Sequence, residues 1–251
     1  MATKNQKIVI SGAATGIGAA MARRFGEQGA SLVLMDINQQ GLDEVIAGLT
    51  GNGVKAQGIV CDVSNAEAVS DACEQALEFL GGIDVLVNNA ATYTPMATIT
   101  ELSVDDWHNA IAVNLTSAFL LSRAVIPAMQ KAGQGIIINT ASQLGSVGST
   151  GRAPYCAAKG GIIQLTKALA LDHAKDGIRV NSLSPGAVLT NRLNFMYGTP
   201  EKATEALAPK HPIGRLGDAD EIARAALFLA SDDAAYMTGS DLLIDGGYNA
   251  Q

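Results

Sequence analysis

KIVISGAATGIG, residues 7–18, decides how this chain reads. Lys7 to Ser11 is a short apolar run of strand type, Gly12, Gly16 and Gly18 follow at once, and a helix-like segment begins without a linker. A glycine turn between a strand and a helix lets the backbone approach a pyrophosphate, while the helix start offers unpaired N–H groups and the positive end of its dipole. Thr15 and Ile17, between the glycines, belong to the same expected phosphate turn. The spacing is GxxxGxG rather than GxGxxG, and alone such a pattern is about as often a plain tight turn. The rest of the chain has to decide.

Working outward, short runs of Val, Ile and Leu alternate with amphipathic stretches. SLVLMD, QGIVCDV, DVLVNNA, GIIINTAS and IRVNSLSPG read as further strands, with helices expected over about 39–49, 67–80, 104–129 and 155–173. Apolar runs of this kind are the mark of parallel strands buried on both faces. Strand–helix alternation predicts an α/β fold: a Rossmann-like, doubly wound parallel sheet in three αβα layers. No linker, low-complexity tract or repeat interrupts the 251 residues, so one domain over 1–251 is expected, closing on a strand at Leu242 to Asp245. The longest strand-free stretch, about 187–216, carries Pro200, Pro209 and Pro212 and reads as a substrate lid built of short helices.

Composition narrows the partners. The formal net charge is −7 with no Lys/Arg run, which disfavours nucleic acid and anionic membranes and favours a small molecule. No apolar run approaches the roughly 18 residues of a membrane span, and MATKNQKIVISGAATG shows no cleavage-site pattern. Cys61, Cys73 and Cys156 form neither an even disulfide set nor a CxxC, which suits a reducing cytoplasm. His108, His173 and His211 are scattered, so no metal site is expected.

Asp36 ends SLVLMD about 20 residues after the glycine turn, where an acid accepts hydrogen bonds from the hydroxyls of an adenosine ribose. A carboxylate there repels a 2′-phosphate, and Ile37 and Asn38 supply no cation to offset it, so NAD is expected rather than NADP. Asp62 and Val63 at the end of the third strand, and Asn89 and Ala90 in NNAA at the end of the fourth, extend the same expected cofactor site. Ligands of open α/β sheets lie outside the carboxyl ends of the strands, where all these residues fall.

The ordered set SGAATGIG, Asp36, CDV, NNAA, Asn114, Ser142, YCAAK and SPG resembles the short-chain dehydrogenase/reductase family over essentially the whole chain. Ser11 and Ala91 depart from the family's commoner threonine and glycine. Tyr155 and Lys159 are four apart and share a helical face, and an ammonium favours the phenolate of a tyrosine whose pKa is ordinarily near 10. The resemblance implies a catalytic tetrad of Asn114, Ser142, Tyr155 and Lys159: Tyr155 as acid/base, Ser142 holding the substrate oxygen, Lys159 as activator that also contacts the nicotinamide ribose, and Asn114 holding a water that links Lys159 to solvent. It also places Pro185, Gly186, Val188 and Thr190 about the nicotinamide. Cys156, beside the tyrosine, is expected to be inert packing.

Substrate residues are expected from the segments near Tyr93, Gln143 and Arg152 and from Asn191 and Arg192 in the lid. So many hydrogen-bonding groups suit a polyol, sugar or other small polar secondary alcohol. Arg152 and Arg192 can face an acidic substrate group, although exposure at the surface is the default expectation for each. The resulting function is NAD-dependent interconversion of a secondary alcohol and its ketone. Alternatives are a reductase of 3-oxoacyl or other ketones on the same fold and a dinucleotide-binding redox sensor without turnover. The resemblance further implies a homotetramer, formed through the long helices and the last strand.

Overall fold

The computed structural model describes residues 5–251, apart from the side chain of Asn194; Met1 to Lys4, part of the segment read for a cleavage site, lie outside them. Seven strands, β1 (Lys7–Ser11), β2 (Ser31–Asp36), β3 (Ala56–Val60), β4 (Val85–Asn88), β5 (Gly135–Thr140), β6 (Ile178–Pro185) and β7 (Asp241–Ile244), form one sheet. Its order is β3-β2-β1-β4-β5-β6-β7 and every pairing is parallel. The order reverses between β1 and β4, and that switch point opens the crevice in which doubly wound sheets bind ligands.

The helices are α1 (Gly16–Glu27), α2 (Gln39–Gly51), α3 (Ala66–Leu80), α4 (Val104–Ile111), α5 (Ser117–Ala132), α6 (Ala153–His173), α7 (Asn191–Tyr197), α8 (Pro200–Leu207) and α9 (Ala219–Ala230). Alternation along β1 divides them between the two faces. Ile8 and Ile10 join Met21 and Phe25 of α1, Leu42 of α2 and Leu229 of α9. Val9 points the other way, with Cys73 of α3 and Leu121, Val125 and Met129 of α5. A Rossmann-like three-layer architecture therefore follows from apolar strands that are covered on both sides.

Three local features differ from the sequence reading. The long helix expected near 104–129 is continuous over Val104–Ala132 but contains one π turn at Ala112–Thr116. By length and apolar composition it could cross a membrane, but it packs its apolar side into the core against one face of the sheet. Helix α9 was not expected, although Asp218 and Glu221 form a capping box just before its apolar run. Strand β3 ends at Val60, so Asp62 sits in the turn beyond it rather than on the strand.

Candidate active site

At the carboxyl edge of the sheet, Gly12 has φ +65°, and a Cβ there would lie 2.6 Å from Ala90 Cα. Only glycine allows the β1 turn to close against the loop after β4. A Cβ on Gly18 would collide with the Gly12 carbonyl and the Asn89 amide, so this glycine serves the turn's closure and does not itself line the cleft. Ser11 keeps the job of the commoner threonine with a smaller side chain: its buried Oγ accepts from the N–H groups of Asn89 and Ala90, at 3.1 and 3.2 Å. Asn89 returns Nδ2 bonds to the Ser11 and Gly12 carbonyls, at 3.2 and 2.9 Å. The turn is thus held rigid from the neighbouring strand.

Thr15 is the N-cap of α1 but makes no side-chain cap bond, which leaves first-turn amides available to an anion. Asp36 Oδ2 accepts from Ala14 N and Oδ1 from Asn38 N, both at 3.0 Å. Those bonds orient the carboxylate, and its remaining lone pairs stay open to ribose hydroxyls. Asp62 is oriented similarly, with Oδ1 accepting from Ser64 N and Oγ at 2.9 and 2.7 Å. Gly12, Thr15, Gly16, Ile17, Asp36, Asp62, Val63, Asn89 and Ala90 reach one cleft of about 960 Å³. Its size lies at the upper end of the roughly 300–1,000 Å³ typical of ligand pockets. A glycine cradle, a free helix start and an oriented carboxylate fit a dinucleotide.

The same cleft contains Ser142, Tyr155, Lys159, Pro185, Gly186, Val188 and Thr190. Tyr155 and Lys159 stand one helical turn apart on α6, and Lys159 Nζ lies 5.8 Å from the Tyr155 ring centre. Lys159 is buried and donates to the Thr140 carbonyl at 2.6 Å, which aims the ammonium at the end of β5. Ser142 follows β5, its Oγ accepting from Leu144 N at 3.2 Å. Burial opposes ionisation of the Tyr155 phenol, but the charges of Arg192 and Lys159, a hydrogen bond from Ser142 and the charge of Arg152 together hold its pKa below the ordinary value. Burial likewise holds the Lys159 pKa down, against the pull of Tyr155.

Asn114 sits inside the π turn, buried, with Oδ1 accepting from Thr92 N at 3.2 Å and Nδ2 donating to the Ala110 carbonyl at 2.9 Å. It does not reach the cleft wall itself. Such single π turns recur at functional sites. Cys156 is half-buried and free.

The segment beyond β6 folds over the mouth of the cleft through α7 and α8, and a bridge between Val188 and Gly217 closes its base. Gln143, Arg152, Asn191 and Arg192 all line the cleft. Arg152 is only 6% exposed, contrary to the surface position expected by default. Tyr93 does not line the cleft: it is 40% exposed and packs edge-on against Phe195, 5.2 Å between ring centres. Phe195, its partner ring, belongs to α7.

Sequence reasoning missed Lys210 and Tyr248, which also line the cleft, and His211 beneath them. Buried His211 is held by Leu207 O at 2.9 Å on Nδ1, and its Nε2 accepts from Ala187 N at 3.3 Å, pinning the segment after α8 to the chain just beyond β6. No short-range pattern marks these residues. The contact spans chain segments that only the fold brings together.

Fold and cleft together define a nucleotide-binding α/β oxidoreductase. The family model described as enoyl-(acyl carrier protein) reductase matches residues 12–249. The chain is 41% identical to D-threitol dehydrogenase of Mycolicibacterium smegmatis, over 96% of this chain and 91% of that one. It is 39% identical to meso-2,3-butanediol dehydrogenase of Serratia marcescens, over 98% and 95%. The crystal structure of levodione reductase superposes with a TM-score of 0.93 at 32% identity, covering 98% of each chain. The chain belongs to the short-chain dehydrogenase/reductase family, whose dehydrogenases use nicotinamide dinucleotides.

Proposed function

We propose that this chain is an NAD-dependent oxidoreductase that interconverts a small polar secondary alcohol, polyol or sugar with its ketone. The observation that carries the reading is that Tyr155, Ser142 and Lys159 meet in the cleft that also holds the glycine turn and Asp36. The two relatives, named for a butanediol and a threitol, support a polar secondary alcohol.

When bound, the nicotinamide supplies the hydride acceptor for oxidation or the donor for reduction. Gly12, Thr15, Gly16 and Ile17 would hold its pyrophosphate, and Asp36 its adenosine ribose. Asp62 and Val63 would meet the adenine, while Asn89, Ala90, Pro185, Gly186, Val188 and Thr190 would line its path to the nicotinamide. Ser142 Oγ holds the substrate oxygen as Tyr155 Oη takes its proton during oxidation, or returns one during reduction. Lys159 stabilises the phenolate and Asn114 holds the water through which that ammonium meets solvent. The segment 187–216 acts as substrate lid within a single domain.

Reduction of a 3-oxoacyl or other ketone on the same residues is the second reading, favoured by a relative named 3-oxoacyl-(acyl-carrier-protein) reductase from Thermotoga maritima, 36% identical over 98% of this chain and 99% of that one. Asp36 weighs against it where such reductases depend on NADPH. Scanning alcohols with NAD, and ketones with NADH and NADPH, tests both. Oxidation of a polar secondary alcohol with at least tenfold preference for NAD supports the first; ketone reduction confined to NADPH contradicts it. Tight NAD binding without turnover on any panel would indicate a sensor instead.

We also expect a cytoplasmic homotetramer. Phe119 on α5, Leu171 on α6 and Leu243 on the edge strand β7 are exposed apolar residues on the elements that would pair, in line with that assembly. Light scattering reads the mass directly.

A further inference from the structure

Two guanidinium groups lie close to the ring of Tyr155. The Cζ atoms of Arg152 and Arg192 each lie 5.0 Å from the ring centre. Neither belongs to an ion pair among the described residues. The sole side-chain polar contact of Arg152 there is with Met196 Sδ at 3.9 Å, and Arg192 Nη2 is buried with no hydrogen-bond partner. An arginine cannot shed its charge to escape burial, and two such charges beside one ring repel each other. The acidic residues that line the cleft, Asp36 and Asp62, stand beside the glycine turn at the ends of β2 and β3. The arginine end therefore holds two planar donor forks, at least one donor left empty, and no carboxylate partner among the described residues.

On the reading given above, we propose that the substrate is a secondary alcohol carrying an oxyanion, a carboxylate or a phosphate monoester, which binds across Arg152 and Arg192. Fork-shaped guanidinium donors match either oxyanion in bidentate geometry. The oxyanion is a spectator in the reaction. The carbinol C–H bond breaks with its electron pair going to the nicotinamide, the O–H proton goes to Tyr155, and the carbon–oxygen double bond forms. The unpaired guanidiniums thus select the substrate at the same time as they favour the phenolate.

Matched pairs separate charge from shape: 3-hydroxybutyrate against 3-hydroxybutyramide, gluconate against gluconamide, and glucitol 6-phosphate against glucitol. With NAD, the charged member of at least one pair should show kcat/KM about tenfold or more above its neutral partner, as expected for charge-assisted bonds. The pair in which this occurs identifies carboxylate or phosphate. Arg152→Gln and Arg192→Gln should each collapse that ratio, whereas Arg192→Lys should restore part of it. A binding readout stands apart from turnover: malonate or inorganic phosphate should raise the Tm of the wild-type NADH complex, and neither should raise that of the two glutamine variants.

Equal or better use of the neutral partners overturns the proposal, as does a charge ratio that survives both glutamine variants. If Tyr155-dependent oxidation of neutral alcohols persists, only this inference falls and the dehydrogenase reading stands. If no pair is turned over, the Tm shift decides: its absence with both anions overturns the oxyanion site.

Discussion

Lys159 sits one turn of α6 beyond Tyr155, with its Nζ 5.8 Å from the phenol ring centre and its proton donated to the Thr140 carbonyl. The ammonium is therefore fixed by the end of β5 rather than paired with a carboxylate, and its charge remains available to the tyrosine. Arg192 adds a second positive charge from α7, which also favours the Tyr155 phenolate. The sequence pattern credits Lys159 alone with this role.

The pH dependence follows from that arrangement. Oxidation needs the phenolate, so kcat/KM should rise with pH and level off above the Tyr155 pKa, which lies below its ordinary value. Removing a neighbouring positive charge disfavours the phenolate. Arg192→Gln and Lys159→Met should therefore move the inflection to higher pH and lower the rate at neutral pH. An unchanged inflection in both variants, measured from pH–rate profiles, would remove electrostatic activation from the account.

On the proposed reading, coenzyme choice rests on Asp36. The double substitution Asp36→Ser with Ile37→Arg removes the carboxylate and supplies a cation for a 2′-phosphate. Its kcat/KM ratio for NADP over NAD should rise by about two orders of magnitude, each tenfold step being about 1.4 kcal/mol. Retention of the wild-type ratio would show that Asp36 does not face the ribose.

Ser11 is 1% exposed and its Oγ receives two backbone N–H groups. Ser11→Ala leaves both donors without that acceptor, and chemical denaturation should show a loss of about 1–3 kcal/mol. Ser11→Thr keeps the acceptor and should recover most of it. Equal losses in the two variants would mean that volume, not the hydroxyl, matters there.

At the start of α9, Arg215 and the Asp218 backbone hold the Glu221 carboxyl down to about 2. A carboxylate whose folded pKa is depressed contributes stability above the ordinary value near 4.5, and this contribution is lost as pH falls towards about 2. The Arg215 side chain is about half exposed, so solvent screening keeps the contribution of the pair small. Glu221→Gln should lower Tm slightly at neutral pH, with the difference from wild type vanishing in acid. A difference that persists at low pH would assign the effect to packing.

The strand–turn–helix start, the parallel sheet and the cluster of Ser142, Tyr155 and Lys159 were legible in the sequence. The turn, the sheet and the Tyr155–Lys159 pair depend on local spacing: glycines in one turn, apolar runs of strand length, and positions i and i+4 on one helix; Ser142 was added by the family resemblance. The missed helix α9 carried a local signal as well, in Asp218, Glu221 and the periodic run behind them. Other features had no local signal. The burial of Arg152 and the contact of His211 with Ala187 depend on how residues 187–216 fold back, and the packing of Tyr93 depends on Phe195 arriving from α7. Asn114 was singled out by the family resemblance, but the π turn around it had no sequence signal.

The central claim is that the Tyr155 hydroxyl moves the proton. Comparing Tyr155→Phe with wild type, on the alcohol that wild type oxidises fastest with NAD, tests it most directly. The account predicts that NADH formation falls by roughly 10²–10⁴-fold while NAD affinity by calorimetry stays within a few-fold of wild type. Near-normal turnover by the phenylalanine variant would contradict it.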